Sequence, residues 1–219
     1  HVLRRRQRQM CIRDRLSTSA FKPLAASMGP MLKEESFHLG TGSNGLRRII
    51  KAGVIPLDML QRYINKWVST AHDLFGVDAS SSAHWAYVWG IKGRWDERKK
   101  LDSGIEVNKE TLNEESRGHY HDEIVFEVEK LSKYLPEGST KLYVPHENFN
   151  RDIGSAKGQR FTTDGDVFVG SDEDWENYLY DVLPRSQDEE DLKELFKQEW
   201  IANKPMSARQ IESRIGASI

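Results

Sequence analysis

Lys33-Glu34-Glu35-Ser36-Phe37-His38 is the stretch on which the reading of this chain turns. Glu35 and His38 stand three residues apart in a segment patterned as a helix. A carboxylate and an imidazole therefore project from one face, about one turn apart. Phe37 and Leu39 flank the imidazole, and Leu24, Met28, Met31 and Leu32 precede the pair at nearly helical spacing, which predicts a mostly buried segment. A buried carboxylate is expensive unless it is paired or bound to a metal. A Glu-x-x-His pair is half of the ligand set with which a four-helix bundle holds two iron ions. Spacing alone favours the ordinary reading, a solvated Glu beside a partly buried His; the apolar surroundings favour the ligand reading. No second Glu-x-x-His is found in the chain, so the expectation is one part of an oxygen-activating iron enzyme.

Composition sets bounds on this reading. The chain has 219 residues, enough for one or two domains with a substantial core. Charged residues make up 30%, mean hydropathy is -0.67, and no apolar run approaches membrane-spanning length. No membrane partner is expected. A formal net charge of -2 gives no general reason to expect nucleic acid. Cys11 is the only cysteine, which excludes an intramolecular disulfide and a thiolate cluster and fits a reducing, cytoplasmic setting.

Several stretches then carry a family likeness. Phe21-Lys22-Pro23-Leu24-Ala25-Ala26-Ser27-Met28-Gly29-Pro30 runs into the Glu35–His38 motif and on to Leu39-Gly40-Thr41-Gly42-Ser43-Asn44-Gly45. His84-Trp85-Ala86-Tyr87-Val88-Trp89-Gly90 and Tyr143-Val144-Pro145-His146-Glu147-Asn148-Phe149-Asn150-Arg151 follow. Lys157-Gly158-Gln159-Arg160-Phe161 through Ser171-Asp172-Glu173-Asp174-Trp175 complete the set. Together, from Leu16 to the C-terminus, they resemble the oxygenase subunit of benzoyl-CoA epoxidases, a ferritin-like di-iron family. Glu34-Glu35-Ser36-Phe37-His38 is also similar to the related phenylacetyl-CoA epoxidases, while the residues after His38 look more like the benzoyl-CoA branch.

The resemblance implies a mainly α chain: the C-terminal part of a ferritin-like di-iron four-helix bundle, then an α-helical region with a short β-hairpin. It implies a centre of two iron ions that uses O2 to epoxidise the ring of benzoyl-CoA in aerobic benzoate degradation. Glu35 would be a carboxylate ligand, the bridging one by the family's pattern, and His38 would bind one iron. The other ligands would precede Leu16. A separate NADPH-dependent iron–sulfur flavoprotein reductase would be the electron-donating partner. The alternatives are a related di-iron epoxidase acting on phenylacetyl-CoA or another acyl-CoA, and a non-catalytic helical interaction module.

The organisation reads in three parts. Residues 1–15 carry Arg4, Arg5, Arg6, Arg8, Arg13 and Arg15. Gln9-Met10-Cys11-Ile12-Arg13-Asp14-Arg15 resembles translated adapter sequence, so this arm reads as a non-native junction rather than a basic arm for nucleic acid. Residues 16–95 read as the bundle portion. Ser17 or Thr18 would cap a helix tail carrying Pro23, and Gly29-Pro30 would punctuate before a helix from Pro30 to about Ala52. Gly40, Gly42 and Gly45 inside that helix would permit close packing or mark unwinding. Pro56 starts a helix to near Gly76 with Leu57, Leu60, Tyr63, Ile64 and Trp67 on its apolar face, and an aromatic segment spans about Ser82 to Trp89.

Residues 96–219 begin with a charged excursion from Asp96 to Asn113. A helix follows from about Glu114 to Tyr134, with Ile124, Val125, Val128, Leu131 and Leu135 as its stripe. Tyr143-Val144 reads as a short strand. Arg160 to Val169 reads as a hairpin (near 159–170) whose Asp164-Gly165 supplies the positive φ angles of a tight turn. Helices from Asp172 to Leu183 and Gln187 to Ala202 close the chain.

Other polar residues carry weaker signals. Glu115 and His119, with His121-Asp122 beyond, read as a solvated helix face rather than a second iron half-site. His72 and His84 read as packing histidines, and His146 to Arg151 as a polar loop with a possible substrate contact. Asp164 and Asp166 read as a turn rather than a calcium site. Trp85, Tyr87, Trp89 and Trp95 read as core first and acyl-pocket lining second. A CoA thioester needs a cationic patch, for which Arg47-Arg48, Arg98-Lys99-Lys100 and Lys157 with Arg160 are equal candidates.

Overall fold

The computed structural model describes residues 16, 17, 19–92 and 110–197. The basic arm of residues 1–15, Trp95, the Asp96–Lys109 part of the excursion, Arg98-Lys99-Lys100 and the stretch beyond residue 197 lie outside them. The described residues are mainly helical. In order they form α1 (Lys22–Ala52), α2 (Leu57–Asp73), α3 (Ser81–Val88), α4 (Leu112–Ser132), a single 3-10 turn (Gly154–Ala156), α5 (Asp172–Val182) and α6 (Ser186–Phe196). Two compact units divide after Leu183. The first holds α1 to α5; the second contains α6, whose start is held by Arg185 N–H donating to the Asp188 carboxylate at 2.9 Å. No helix among the described residues is long and apolar enough to cross a membrane.

α1 is one helix of 31 residues that runs through Gly29-Pro30 without a break, where the sequence predicts a boundary. Proline removes one helical hydrogen bond, but Ala26 and Pro30 both lie exposed, so water can satisfy the carbonyl left over. Pro23 sits in the first turn, where its missing N–H is harmless. Gly53 (φ 65°) ends the helix, its N–H reaching the carbonyls of Ile49 and Ile50. Gly40, Gly42 and Gly45 lie within this unbroken helix, and a Cβ at any of them would meet nothing within 4 Å. Neither close packing nor unwinding accounts for them in this structure.

The core of the first unit forms where the last turns of α1 meet α2, α4 and the extended segment around Leu142. Ile50, Leu60, Val128, Leu131 and Leu142 are buried together, with Leu46, Ile64, Ile124, Leu135 and Val144 packed against them. Residues on both sides of position 95 therefore share one core. Of the predicted stripe of α4, Val128 and Leu131 are buried and Ile124 and Leu135 pack against this core, while Val125 is half-buried and the first turns bury Leu112, Asn113, Ser116 and Arg117 instead.

On α2 the predicted stripe is covered at Leu57, Leu60, Tyr63 and Ile64 but not at Trp67, and polar residues are buried beside it. Arg62, Asn65, Ser69 and His72 are buried, while Trp67 is exposed beneath the Lys66 ammonium. Most of these buried polar groups have partners. Arg62 pairs with Asp58 at 2.8 Å, Ser69 Oγ donates to Lys66 O, and Asn65 Nδ2 donates to Val182 O at 2.9 Å. The last bond ties α2 to the end of α5.

No strand ladder forms at Tyr143-Val144. The Gln61 side chain takes the neighbour's place: its Oε1 accepts from Tyr143 N–H and its Nε2 donates to Tyr143 O, both at 2.9 Å. The hairpin near 159–170 is likewise reduced to an antiparallel bridge between Phe161 and Val167. Thr162 O accepts from Gly165 N–H at 3.0 Å, and Thr162 N–H donates to Asp166 O at 2.9 Å. Of Asp164 and Gly165, only Gly165 has a positive φ (94°). This is the three-residue loop closed by a left-handed glycine rather than the two-residue turn expected. Gly165 is also required by proximity, because a Cβ there would lie 2.6 Å from His146 Cδ2.

Candidate functional site

Glu35 and His38 lie in the middle of α1, where continuous helix fixes their one-turn separation. Glu35 is half-buried and His38 is exposed. The Phe37 ring stands 6.4 Å from the His38 ring, edge to face, and is itself 72% exposed. The predicted buried surroundings are absent from this part of the helix. Met28 is buried, but Met31 is 48% exposed and Phe21 is also exposed. The physical reason is that the core closes only on the last turns of α1, around Leu46 and Ile50.

The donor chemistry of the pair suits iron: an anionic oxygen ligand and an imidazole nitrogen on one face. Two donors do not make a coordination sphere, and no group of three His, Cys, Asp or Glu able to hold a metal ion forms among the described residues. The pair fits a half-site.

A second polar centre forms where the end of α2, the first turns of α4 and the 146–151 loop meet. His72 is fully buried. Its ring lies 5.6 Å from Tyr120, edge to face, and 5.4 Å from His121. Neither ring nitrogen of His72, nor His121 Nδ1, has a hydrogen-bond partner in the structure. Burial pushes the His72 pKa down to about 3, reinforced by His121 and by the Arg117 and Arg151 guanidiniums. Burial also lowers that of His121, against the pull of Glu147 and Asp122. Both rings are therefore neutral at neutral pH.

The two arginines organise the junction. Arg151 donates to His72 O at 2.6 Å and Phe75 O at 3.0 Å, binding the carbonyls at the end of α2. Arg117 pairs with Glu114 and lies 3.3 Å from the Glu147 carboxylate. Asp78 accepts from Asn113 N–H at 2.7 Å and Glu114 N–H at 3.1 Å, closing the start of α4. His72 is the packing histidine predicted. Its pairing with His121 has no sequence signal, because the two rings come from helices 49 positions apart.

The remaining candidates separate. Glu115 and His119 are exposed on α4, as a solvated face predicts. His84 is exposed and packs edge to face on Trp85 at 5.2 Å. Trp85 and Trp89, expected as core, lie exposed with their rings 5.5 Å apart. Asp164 and Asp166 are exposed in the turn. Of the cations, Arg47 and Lys51 converge on the Tyr134 ring, while Arg160 pairs with Asp172 at 2.7 Å and lies over Trp175 at 5.7 Å.

No known family model matches the chain. Over 214 residues the chain is 28% identical to benzoyl-CoA oxygenase component B of Aromatoleum evansii, a match covering 79% of this chain and 45% of the relative. The chain thus spans about half the length of the curated relative it matches, and at this identity the two are distant homologues.

Proposed function

We propose that this chain is part of the oxygenase component of an enzyme that oxygenates the aromatic ring of benzoyl-CoA. The observation that carries the reading is the Glu35–His38 pair on continuous helix, within a chain distantly related to a protein named for that reaction. A ferritin-like di-iron centre is the finer form of the proposal. The Glu35 carboxylate and a His38 imidazole nitrogen would hold metal, with the remaining ligands supplied by sequence beyond the described residues. When bound, two iron ions supply the dioxygen chemistry that ring epoxidation needs.

The residues of the chain itself have three tasks. The α1 backbone holds the two donors in register. Glu35, half-buried, brings negative charge to a site that must balance cations. Phe37, Met31 and Leu32 present apolar surface that would exclude water once covered. A component of this kind also needs an electron donor, and the proposed partner is a separate NADPH-dependent flavoprotein reductase.

The test uses a polypeptide extended to the length of the relative. Glu35→Ala and His38→Ala should each abolish stoichiometric iron, read by metal analysis, and benzoyl-CoA turnover with a reductase present. Either variant keeping two irons and full activity would defeat the assignment. A second reading, a helical interaction module in which Glu35 and His38 only face a partner helix, is favoured by the exposure of Phe21, Met31 and Phe37. It predicts an iron-free extended protein.

A further inference from the structure

The returning arm of the turn near 159–170 has a neighbour on one side and none on the other. Phe161 and Val167 form the antiparallel bridge, but the bonds around it belong to the flanking residues. Thr162 N–H donates to Asp166 O at 2.9 Å, and Phe168 N–H donates to Arg160 O at 2.7 Å. Val167 thus stands where opposite residues exchange no bond, so its own N–H and C=O point away from the first arm. Neither these groups nor those of Val169 make a hydrogen bond among the described residues. The side chains divide in the same way. Phe168 packs on Trp175 at 5.0 Å and on Tyr178 at 5.7 Å, whereas Val167 is 56% and Val169 91% exposed.

The inner side of the turn is held without help from this outer edge. Tyr178 Oη accepts from Thr163 N–H, and Thr163 O accepts from His146 N–H, both at 2.8 Å. An edge fixed in advance loses little freedom when a partner adds to it. Sheet edges are ordinarily blunted by a charged side chain, a proline or a covering element on the edge itself. Val167 and Val169 supply no charge and keep their N–H groups, so two β-branched side chains stand beside open backbone donors and acceptors. Charge lies at the two ends instead. Asp164 and Asp166 are exposed at the turn and Glu173 at the start of α5, and none of these three carboxylates has an ion-pair partner among the described residues. Arg160, the nearby guanidinium, is already paired with Asp172.

Those ends decide the occupant. A second copy adding the same edge would set Asp164, Asp166 and Glu173 against their own kind, and like charges across strands are destabilising. A segment with a cation at each end meets opposite charge at both. We propose that the Val167–Val169 edge docks an extended segment of a partner protein, with β-branched residues at alternate positions and Lys or Arg at its ends. Main-chain bonds to Val167 and Val169 attach it, the two valines read its alternate side chains, and the carboxylates select its charge. This surface does not depend on the reading of Glu35 and His38.

The experiment is an NMR titration of the isotope-labelled full chain with a capped seven-residue peptide, valine at its third and fifth positions, lysine at both ends and threonine elsewhere. The amide signals of Val167 and Val169 should shift and saturate with a Kd of roughly 0.1–1 mM. The same peptide N-methylated at both valines, or with glutamate in place of lysine, should leave them unmoved. Val169→Pro removes an outward N–H that the fold does not use and should raise Kd about tenfold. Asp166→Asn with Glu173→Gln should raise it about threefold. If Val169→Pro alters the circular dichroism spectrum, the N-methylated peptide carries the test, since it leaves the protein untouched. Unmoved signals, or equal binding of the N-methylated or the glutamate peptide, would overturn the proposal. So would sedimentation showing a dimer that Val169→Pro dissolves, because the edge would then belong to a second copy.

Discussion

The two halves of α1 belong to one continuous helix but differ in almost every other respect. Its last turns deliver Leu46 and Ile50 into a core shared with α2 and α4, whereas its first half leaves Met31 and Phe37 exposed, as is Phe21 just before it. Glu35 and His38 lie toward the uncovered half. The Glu35–His38 pair and the exposed apolar side chains therefore share one stretch of the helix.

The sharpest way to break this contrast is mutation in each half. Leu131→Ala, in the covered region, should lower unfolding stability by about 2–5 kcal/mol in a denaturant titration. Phe37→Ala in the chain as it stands should change it by no more than about 0.5 kcal/mol. In the extended polypeptide the Phe37→Ala loss should rise to about 3–5 kcal/mol if that face is covered there. An equal, small loss in both contexts would end the comparison.

Acid should find the second polar centre. A histidine whose pKa is lower folded than unfolded takes up its proton more readily in the unfolded chain. The stability due to neutral His72 is thus complete above about pH 6.5 and declines as pH falls toward 3. By pH 4 the loss is expected to be roughly 3 kcal/mol, and His72→Phe should flatten that slope even if it lowers stability overall. An unchanged slope would show that His72 does not carry it.

Two smaller effects test the region of the turn. Gly165→Ala combines positive φ with a contact on His146 and should cost about 1–3 kcal/mol; a neutral result would mean that His146 moves aside readily. Ser171 accepts from Asp174 N–H while Asp174 accepts from Ser171 N–H, a reciprocal cap. Ser171→Ala should cost about 1 kcal/mol by thermal melting. It should also let the Asp174 carboxyl, held low chiefly by its hydrogen bonds to Ser171, rise toward its ordinary range.

Periodicity made most of the helices legible. The stripe Ile124, Val128, Leu131 and Leu135 names the core face of α4, and Pro56 marks the start of α2. It failed where polar residues pack. Arg62, Asn65 and Ser69 carry no apolar signal, yet they are buried because partners on their own helix or on α5 satisfy them. Gly29-Pro30 misled for the converse reason, since a helix facing water tolerates the lost bond. In the candidate site, the Glu35–His38 spacing was legible because it is local. The His72–His121 contact was not, because it depends on chain segments brought together only by folding.

The Gln61 amide has one more consequence. By meeting both backbone groups of Tyr143, it occupies an edge at which another extended chain could otherwise pair, and so acts as a built-in guard against intermolecular β-assembly. Replacing the amide with a carboxylate would keep an acceptor for the N–H but set oxygen against oxygen at the carbonyl, opening one half of that edge. Any tendency of this chain to self-associate should then originate on the helical face around Phe37 and not along the Leu142–Val144 segment, giving oligomers rich in helix rather than fibrils.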